Sequence, residues 1–164
     1  MIRIAGLRVL YGSFAAVDGL DLDIRRGELF GLLGPNGAGK STTIRVLIGQ
    51  RLPSGGAVTI GGHDVVREWA RIKPLFGYVP DRENHFEEFT GRRNLEFFAQ
   101  LYNAPKLRAR DVLKMVELDE AADLPVRGYS LGMRKKLLLA RALLHVPPIL
   151  YLDEPPAYLD IHSA

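Results

Sequence analysis

Apolar residues near the amino terminus recur at almost every second position in two stretches, 2–9 and 17–24, with a Gly-Ser pair between them. This period is typical of strands with one buried face, so the two stretches predict an antiparallel pair. The apolar segment 28–33 predicts a further strand. Residues 43–48 then have helical spacing that stops at Gly49. The first part of the chain therefore predicts strands, a loop and a helix.

The rest of the chain also alternates between predicted strands and predicted helices. A short strand is predicted at 57–60, a buried strand at 76–79, helices over about 89–118, a long helix at 131–144 and an apolar strand at 149–152. Strands that alternate with helices favour a parallel sheet. We therefore expect an α/β fold with a mostly parallel sheet, an antiparallel β subdomain at the amino terminus and a helical insert.

The loop between the strand predicted at 28–33 and the first helix has the composition of a phosphate-binding loop. Its residues are Gly34, Pro35, Asn36, Gly37, Ala38, Gly39, Lys40, Ser41 and Thr42. Glycines at this spacing let successive backbone N–H groups face phosphate oxygens. Lys40 can reach the β- and γ-phosphates, and the Ser41 hydroxyl can hold Mg²⁺. An ordinary glycine-rich turn is the alternative, but the flanking elements favour nucleoside triphosphate binding by a P-loop NTPase core.

Two adjacent carboxylates, Asp153 and Glu154, follow the last predicted strand. Ligands of open α/β sheets bind at the carboxyl ends of strands. Asp153 is therefore a candidate metal ligand, and Glu154 a candidate for orienting or deprotonating the attacking water. A strand that merely ends in a solvated acidic pair is the alternative.

The start of the long helix is a second candidate phosphate site. Ser130 is suited to cap this helix, and Gly132 leaves its first turn open to close approach. Met133 stands where a capping-box carboxylate would otherwise compete for the backbone. The alternative is that Ser130 is only a helix cap. A single chain does not need two phosphate-binding helix starts for one nucleotide, so the second start would serve a nucleotide held by a partner.

Composition narrows the class of protein. The chain has 164 residues, of which 47% are hydrophobic, enough for one domain with a core. Its net charge of +3 comes from basic residues scattered along the sequence, so no nucleic-acid partner is expected. It has no cysteine, and its longest apolar region is interrupted by charged residues and prolines, so we expect a soluble protein without disulfides.

The motifs GPNGAGKST, YSLGM and ILYLDE occur in this order, and over essentially the whole chain the sequence resembles the ATP-binding cassette (ABC) family. Tyr11 matches the aromatic residue that stacks on adenine, and residues 158–160 match the loop that crosses the dimer interface. The segments GYVPD and FTGRRNLEFFAQLYN are most similar to ATPase subunits of bacterial exporters.

The resemblance implies one nucleotide-binding domain over 1–164, with a helical subdomain at about 86–130. It implies ATP and Mg²⁺ as cofactors, with Lys40 and Glu154 as the catalytic residues. It also implies a head-to-tail dimer of two copies, in which Ser130, Gly132 and Met133 of one copy contact ATP held by the other. Hydrolysis would drive transport through a separate transmembrane permease, to which this chain would bind at the cytoplasmic face of the cell membrane.

Several positions depart from the family pattern. Asp81 stands where glutamine is usual, and it is either a metal ligand or a plain turn residue. Pro156 and Ile161 are further departures, which we expect to be tolerated. The chain ends at Ala164, before the region of the family's switch histidine. We therefore expect a truncated subunit that binds Mg-ATP and hydrolyses it weakly.

Two other functions remain as hypotheses: a soluble ABC ATPase of translation or DNA repair, and a nucleotide-binding regulatory fragment with impaired catalysis. The former commonly have two cassettes or a long coiled-coil insert, and the sequence has neither.

Four phenylalanines either form a groove for a helix of the membrane partner or fill the core of the helical insert: Phe86, Phe89, Phe97 and Phe98.

Overall fold

The computed structural model describes residues 1–105 and 107–153. The chain divides into two compact units, Met1–Leu75 and Phe76–Ala164.

The first unit is built on an antiparallel sheet. Strands β1 (Ile2–Tyr11) and β2 (Phe14–Ile24) form the predicted hairpin, β3 (Gly55–Ile60) pairs with the other edge of β1, and β4 (His63–Asp64) pairs with β3. Alternate residues of β1 are buried, which is what a sheet with one core face requires. The predicted antiparallel subdomain is confirmed.

Two helices belong to this unit. Helix α1 (Lys40–Leu47) follows the glycine loop, and α2 (Trp69–Ile72) leads into a 3₁₀ turn at Lys73–Leu75. The chain leaves α1 at Gly49 with φ of 72°, and a Cβ there would lie 2.3 Å from the Trp69 ring. The predicted end of the helix is thus confirmed, because only glycine suits this conformation and this contact.

The strand predicted at 28–33 is wrong. No residue of this segment is in a strand, and no strand among the described residues pairs with it. Leu29 and Leu33 are exposed, at 76% and 93% of their surface. Apolar character alone does not make a strand, because the backbone N–H and C=O groups need a neighbouring strand as hydrogen-bond partner.

The second unit contains a parallel strand pair. Strands β5 (Phe76–Val79) and β6 (Ile149–Leu152) occur where the sequence predicts them and pair in parallel, and the Asp153 N–H continues the ladder to the Val79 carbonyl at 3.0 Å. Gly77 allows α5 to pack closely on β5, since a Cβ there would lie 2.3 Å from the Ala142 carbonyl oxygen.

In the described part of this unit, the strand pair is accompanied by three helices, α3 (Gly91–Leu101), α4 (Arg108–Met115) and α5 (Leu131–Ala142), with a 3₁₀ turn at Val126–Gly128 before α5. Leu95, Val112, Leu113 and Leu137 are among the buried residues of their shared core. The predicted helices are confirmed, although α5 ends two residues earlier than the pattern indicates. Val146 has φ of 53° and two prolines follow it, so the helix cannot continue.

Within residues 1–105 and 107–153, no helix combines the length and apolarity needed to cross a lipid bilayer.

Candidate functional site

The glycine loop holds the ammonium group of Lys40 close to its own backbone. Lys40 Nζ donates to the carbonyl oxygens of Gly34 and Pro35 at 2.6 and 2.7 Å. An ammonium group has three N–H donors. These two bonds therefore place Lys40 beside the loop while a donor is left for a phosphate oxygen.

Backbone geometry explains the glycines of this loop. Gly37 and Gly39 have φ of 84° and 83°, in the left-handed region that other residues avoid. A Cβ at Gly39 would also lie 2.5 Å from the Ala16 carbonyl oxygen on β2. Gly39 caps α1 without any side-chain hydrogen bond to the first turn. The helix thus begins with amides that no capping side chain engages, at its positive end.

The first turn of α1 provides hydroxyl groups. Ser41 is exposed, whereas Thr43 is buried and donates its hydroxyl to the Gly39 carbonyl at 3.0 Å. Thr43 thereby ties the turn to the loop and leaves Ser41 as an outward-facing hydroxyl.

Tyr11 lies against this same helix. Arg45 and Thr42 lie beside its hydroxyl and lower the pKa of Tyr11. The guanidinium carbon of Arg51 lies 4.6 Å from the ring centroid, and Arg51 Nη2 donates to the Leu10 carbonyl at 2.6 Å. The first unit thus brings the predicted aromatic residue and the predicted phosphate loop together.

Sequence reasoning missed Arg45 and Arg51. Arg45 follows the loop motif by a few residues, and Arg51 lies beyond the glycine that ends α1. Arg51 reaches Tyr11 because its backbone N–H bonds to the Arg45 carbonyl at 3.1 Å, which turns the chain back toward β1. No motif in the sequence indicates this turn.

Asp153 directly follows β6 in the second unit and is partly buried. The Tyr78 hydroxyl donates to Asp153 Oδ2 at 3.2 Å. Sequence reasoning missed Tyr78, which lies on a strand of otherwise apolar or small residues. Glu154, Pro156, residues 158–160 and Ile161 lie outside the described residues.

The start of α5 has a side-chain cap. Ser130 is extended, with φ of −65° and ψ of 163°, and its hydroxyl accepts a hydrogen bond from the Met133 N–H at 3.2 Å. Ser130 and Leu131 are exposed, and Gly132 and Met133 are partly buried. Ser130 therefore caps the helix, and this role is compatible with a further ligand at the same exposed turn.

Basic residues follow directly on this cap. Arg134 Nη1 lies 2.9 Å from Glu87 Oε1, which raises the pKa of Arg134, and its other nitrogens donate to the carbonyls of Tyr129 and Arg127 at 3.3 and 3.2 Å. Asp81 is exposed, and its backbone carbonyl accepts a hydrogen bond from Lys135 Nζ. The segment after β5 is thus tied to the start of α5.

The four phenylalanines named above form one group, here called the phenylalanine cluster. The Phe86 ring lies 5.0 Å from Phe97 and 6.1 Å from Phe98, measured between centroids, and 5.3 Å from Phe89. Phe86 and Phe97 are 42% and 44% exposed, whereas Phe98 packs against the helical core. The cluster therefore combines a core-facing part with an exposed part.

The side chains of the candidate site can supply only part of the ligands of Mg²⁺, and a bound nucleotide would supply the others. In the part of the chain that the structure describes, no three histidine, aspartate or glutamate side chains gather into a metal site. Mg²⁺ usually takes one or two protein ligands and completes its shell with substrate phosphates and water. Ser41 in the first unit and Asp153 in the second unit each carry an oxygen of the kind that Mg²⁺ takes as a ligand.

Comparison with known proteins identifies the family. A family model described as ABC transporter matches residues 17–157, which include the glycine loop, the start of α5 and the acidic pair after β6. The chain belongs to the ABC transporter family.

Similar proteins are named for export and drug resistance. The chain is 40% identical to the Nod factor export ATP-binding protein I of Ralstonia nicotianae over 98% of this chain and 51% of that protein. It is 42% identical to the daunorubicin resistance ATP-binding protein DrrA3 of Streptomyces coeruleorubidus, over 97% and 52%. The linearmycin resistance ATP-binding protein LnrL of Bacillus subtilis is 36% identical, over 99% and 54%. The chain thus spans about half the length of these relatives.

The fold is also that of a solved ABC protein. A structure described as an ATP-binding subunit of an ABC transporter matches with a TM-score of 0.84 and 28% identity, over 94% of this chain and 66% of that one. The α/β class expected from the sequence is therefore confirmed.

Proposed function

We propose that this chain binds Mg-ATP and acts as the ATP-hydrolysing domain of an ABC transporter of the export type. The glycine loop carries the proposal, because Lys40 is held at the loop by two carbonyls ahead of a helix start with no side-chain cap. Backbone amides, an ammonium group and a helix dipole together suit a polyphosphate.

The residues have separate roles in this proposal. The amides of 37–42 and Lys40 bind the phosphates and stabilise the charge that develops on the γ-phosphate. Ser41 and Asp153 hold Mg²⁺, with Asp81 as a further candidate ligand. Bound Mg²⁺ supplies neutralisation of phosphate charge. Glu154 orients and polarises the attacking water.

Tyr11 supplies the surface on which adenine stacks. Tyr11 is 40% exposed, and the guanidinium group of Arg51 contacts its ring at 4.6 Å from the centroid. A ring that is fixed in this way loses little conformational entropy when a base stacks on it.

A second copy of the chain completes the site. The exposed start of α5, with Ser130, Gly132 and Met133, contacts the γ-phosphate of ATP held by the partner copy. A helix start that already has a cap still points its positive end outward. ATP binding would then close a head-to-tail dimer, and hydrolysis would open it.

A transmembrane permease is the proposed membrane partner, and this chain would bind it at the cytoplasmic face of the cell membrane. The export and resistance functions in the names of the relatives support transport over the soluble ATPases of translation or DNA repair. The exposed edges of Phe86 and Phe97 are the candidate contact for the permease, within a helical subdomain at about 86–130 of one nucleotide-binding domain.

Calorimetry with Mg-ATP tests the binding proposal. Lys40→Ala should lower the affinity for ATP at least about 10-fold, because hydrogen bonds from an ammonium group to phosphate are charge-assisted. Lys73→Ala is the matched control, since Lys73 is exposed in the same unit and away from the loop motif. Equal ATP affinity in both variants would contradict the proposal.

A further inference from the structure

Two tyrosines lie directly opposite each other in the parallel strand pair, and their hydroxyl groups have different environments. Tyr78 on β5 pairs with Tyr151 on β6, so both side chains project from the same face of the pair. Asp153 lies two positions after Tyr151 and therefore belongs to that face. The Tyr78 hydroxyl donates to Asp153 Oδ2 at 3.2 Å. The Tyr151 hydroxyl is buried and has no hydrogen-bond partner among the described residues.

We propose that Tyr78 is a positioning residue, which anchors one oxygen of the Asp153 carboxylate so that the other oxygen is presented to Mg²⁺. This inference rests on the proposed role of Asp153 as a metal ligand. Tyr78 itself contacts neither metal nor nucleotide in this account.

The backbone of Asp153 is already fixed, because its N–H bonds to the Val79 carbonyl at 3.0 Å. Its carboxylate can still rotate about the side-chain bonds. A carboxylate offers two oxygens with about four acceptor sites. The hydrogen bond from Tyr78 occupies one site on Oδ2, which selects a side-chain orientation without neutralising the negative charge that Mg²⁺ needs.

The surroundings of Tyr78 make it a suitable anchor. It lies on a strand whose four residues all pair with β6, so its backbone cannot move independently of the strand that carries Asp153. A hydrogen bond to a ligating carboxylate from a fixed side chain orients the ligand, and loss of such partners commonly weakens metal binding about 10- to 100-fold.

Tyr78→Phe tests the inference, because it removes the hydroxyl and keeps the ring. ATP affinity would be measured by calorimetry in the full chain, once with Mg²⁺ and once with EDTA. We expect ATP binding in EDTA to stay within about 2-fold of the unmodified chain, and binding with Mg²⁺ to weaken about 3- to 10-fold. Electron paramagnetic resonance of Mn²⁺ added to the ATP-bound chain should show the same loss of metal affinity.

Tyr151→Phe is the matched control. It makes the same chemical change at the paired position, but it removes a hydroxyl that makes no hydrogen bond to any residue within 1–105 or 107–153. We expect its Mg²⁺ dependence to equal that of the unmodified chain. Circular dichroism melts would verify that both variants fold.

The outcomes separate the two levels of the proposal. If Asp153→Asn loses the Mg²⁺ effect while Tyr78→Phe keeps it, Asp153 is a ligand and the inference about Tyr78 is wrong. An equal loss in Tyr78→Phe and Tyr151→Phe also overturns it, because the effect would then belong to the sheet face in general. If Asp153→Asn leaves the Mg²⁺ dependence unchanged, the proposed metal role fails, and the inference fails with it.

Discussion

Helices α1 and α5 begin in different ways, although both starts are candidate phosphate sites. Gly39 caps α1 in the left-handed conformation and offers no side-chain acceptor, whereas Ser130 caps α5 from an extended conformation and accepts a hydrogen bond from the Met133 N–H. Cations near the two starts also differ. Lys40 bonds to loop carbonyls, while Arg134 is paired with a carboxylate.

This difference indicates which helix start can bind an anion more strongly. Around α1, the backbone geometry is one that only glycine tolerates, and the first-turn amides have no side-chain competitor. At α5, the protein satisfies part of its own helix end, which stabilises the fold but leaves less free electrostatic potential. We infer that α1 is the primary phosphate site of one chain and α5 an accessory site for a second chain.

Gly39→Ala should have the largest effect on this comparison. A Cβ at a φ of 83° is strained and would lie 2.5 Å from the Ala16 carbonyl oxygen, so the loop must shift. We expect a loss of about 2 kcal/mol or more in the free energy of unfolding, and loss of ATP binding. Urea unfolding and calorimetry measure the two effects. Gly128→Ala is the control, since no atom lies within 4 Å of a Cβ there, and a similar loss in that variant would count against the special role of the loop.

Ser130→Ala should have a smaller effect, mainly on stability. Loss of a serine cap costs about 1 kcal/mol. ATP affinity of a single chain should not change, because the α1 loop would still bind the phosphates. Urea unfolding and calorimetry at low protein concentration check both statements, and Ser130→Asn should restore the cap. A fall in single-chain ATP affinity as large as that of Lys40→Ala would reverse the order of the two sites.

Arg51→Ala tests whether the contact of Arg51 with Tyr11 contributes to binding of the adenine base beside α1. The variant removes a cation from the Tyr11 ring and a 2.6 Å hydrogen bond to the Leu10 carbonyl. We expect ATP affinity to fall about 2- to 5-fold, the size of an exposed cation–π contact. Arg67→Ala, at an exposed position in the same unit, is the control. Tighter ATP binding in Arg51→Ala would show instead that Arg51 competes with the base.

Glu87→Gln should have the smallest effect. It removes the nearer of two carboxylates that pair with Arg134 Nη1, at 2.9 Å, and leaves Glu83 at 3.6 Å; the Glu87 side chain is 60% exposed. Exposed ion pairs are worth about 0–1 kcal/mol and are screened by salt. We expect a small loss of stability in urea unfolding at low salt that disappears at high salt. A loss that persists at high salt would mean that the carboxylate makes more than an ion pair.

The sequence predicted most elements of both units, because their signals are local. Alternation in β1 and β2, glycine after α1 and proline after α5 each act through a few neighbouring residues. The wrong strand at 28–33 shows the limit of such signals. Its apolar residues suit a strand, but strand formation depends on a partner that no local pattern specifies.

The residues of the candidate site also fall into two groups, those that a local motif indicates and those that no local motif indicates. The sequence predicted the loop motif, Ser130 and Asp153 as site residues, because their residue types and spacing are typical of a particular chemistry. Arg51 and Tyr78 were not recognisable, because each acts on a residue distant in sequence. Arg51 reaches back to β1 over a turn, and Tyr78 reaches Asp153 across 75 positions of the chain.

By itself, the sequence determined the family and most of the elements in their order, and it predicted which residues bind phosphate, since these depend on residue type and spacing along the backbone. Only the tertiary structure decided that Lys40 bonds to its own loop, that Arg51 lies over Tyr11 and that Tyr78 holds Asp153. These contacts depend on how strands and turns pack, and packing brings together groups whose separation in sequence carries no information about their distance in space.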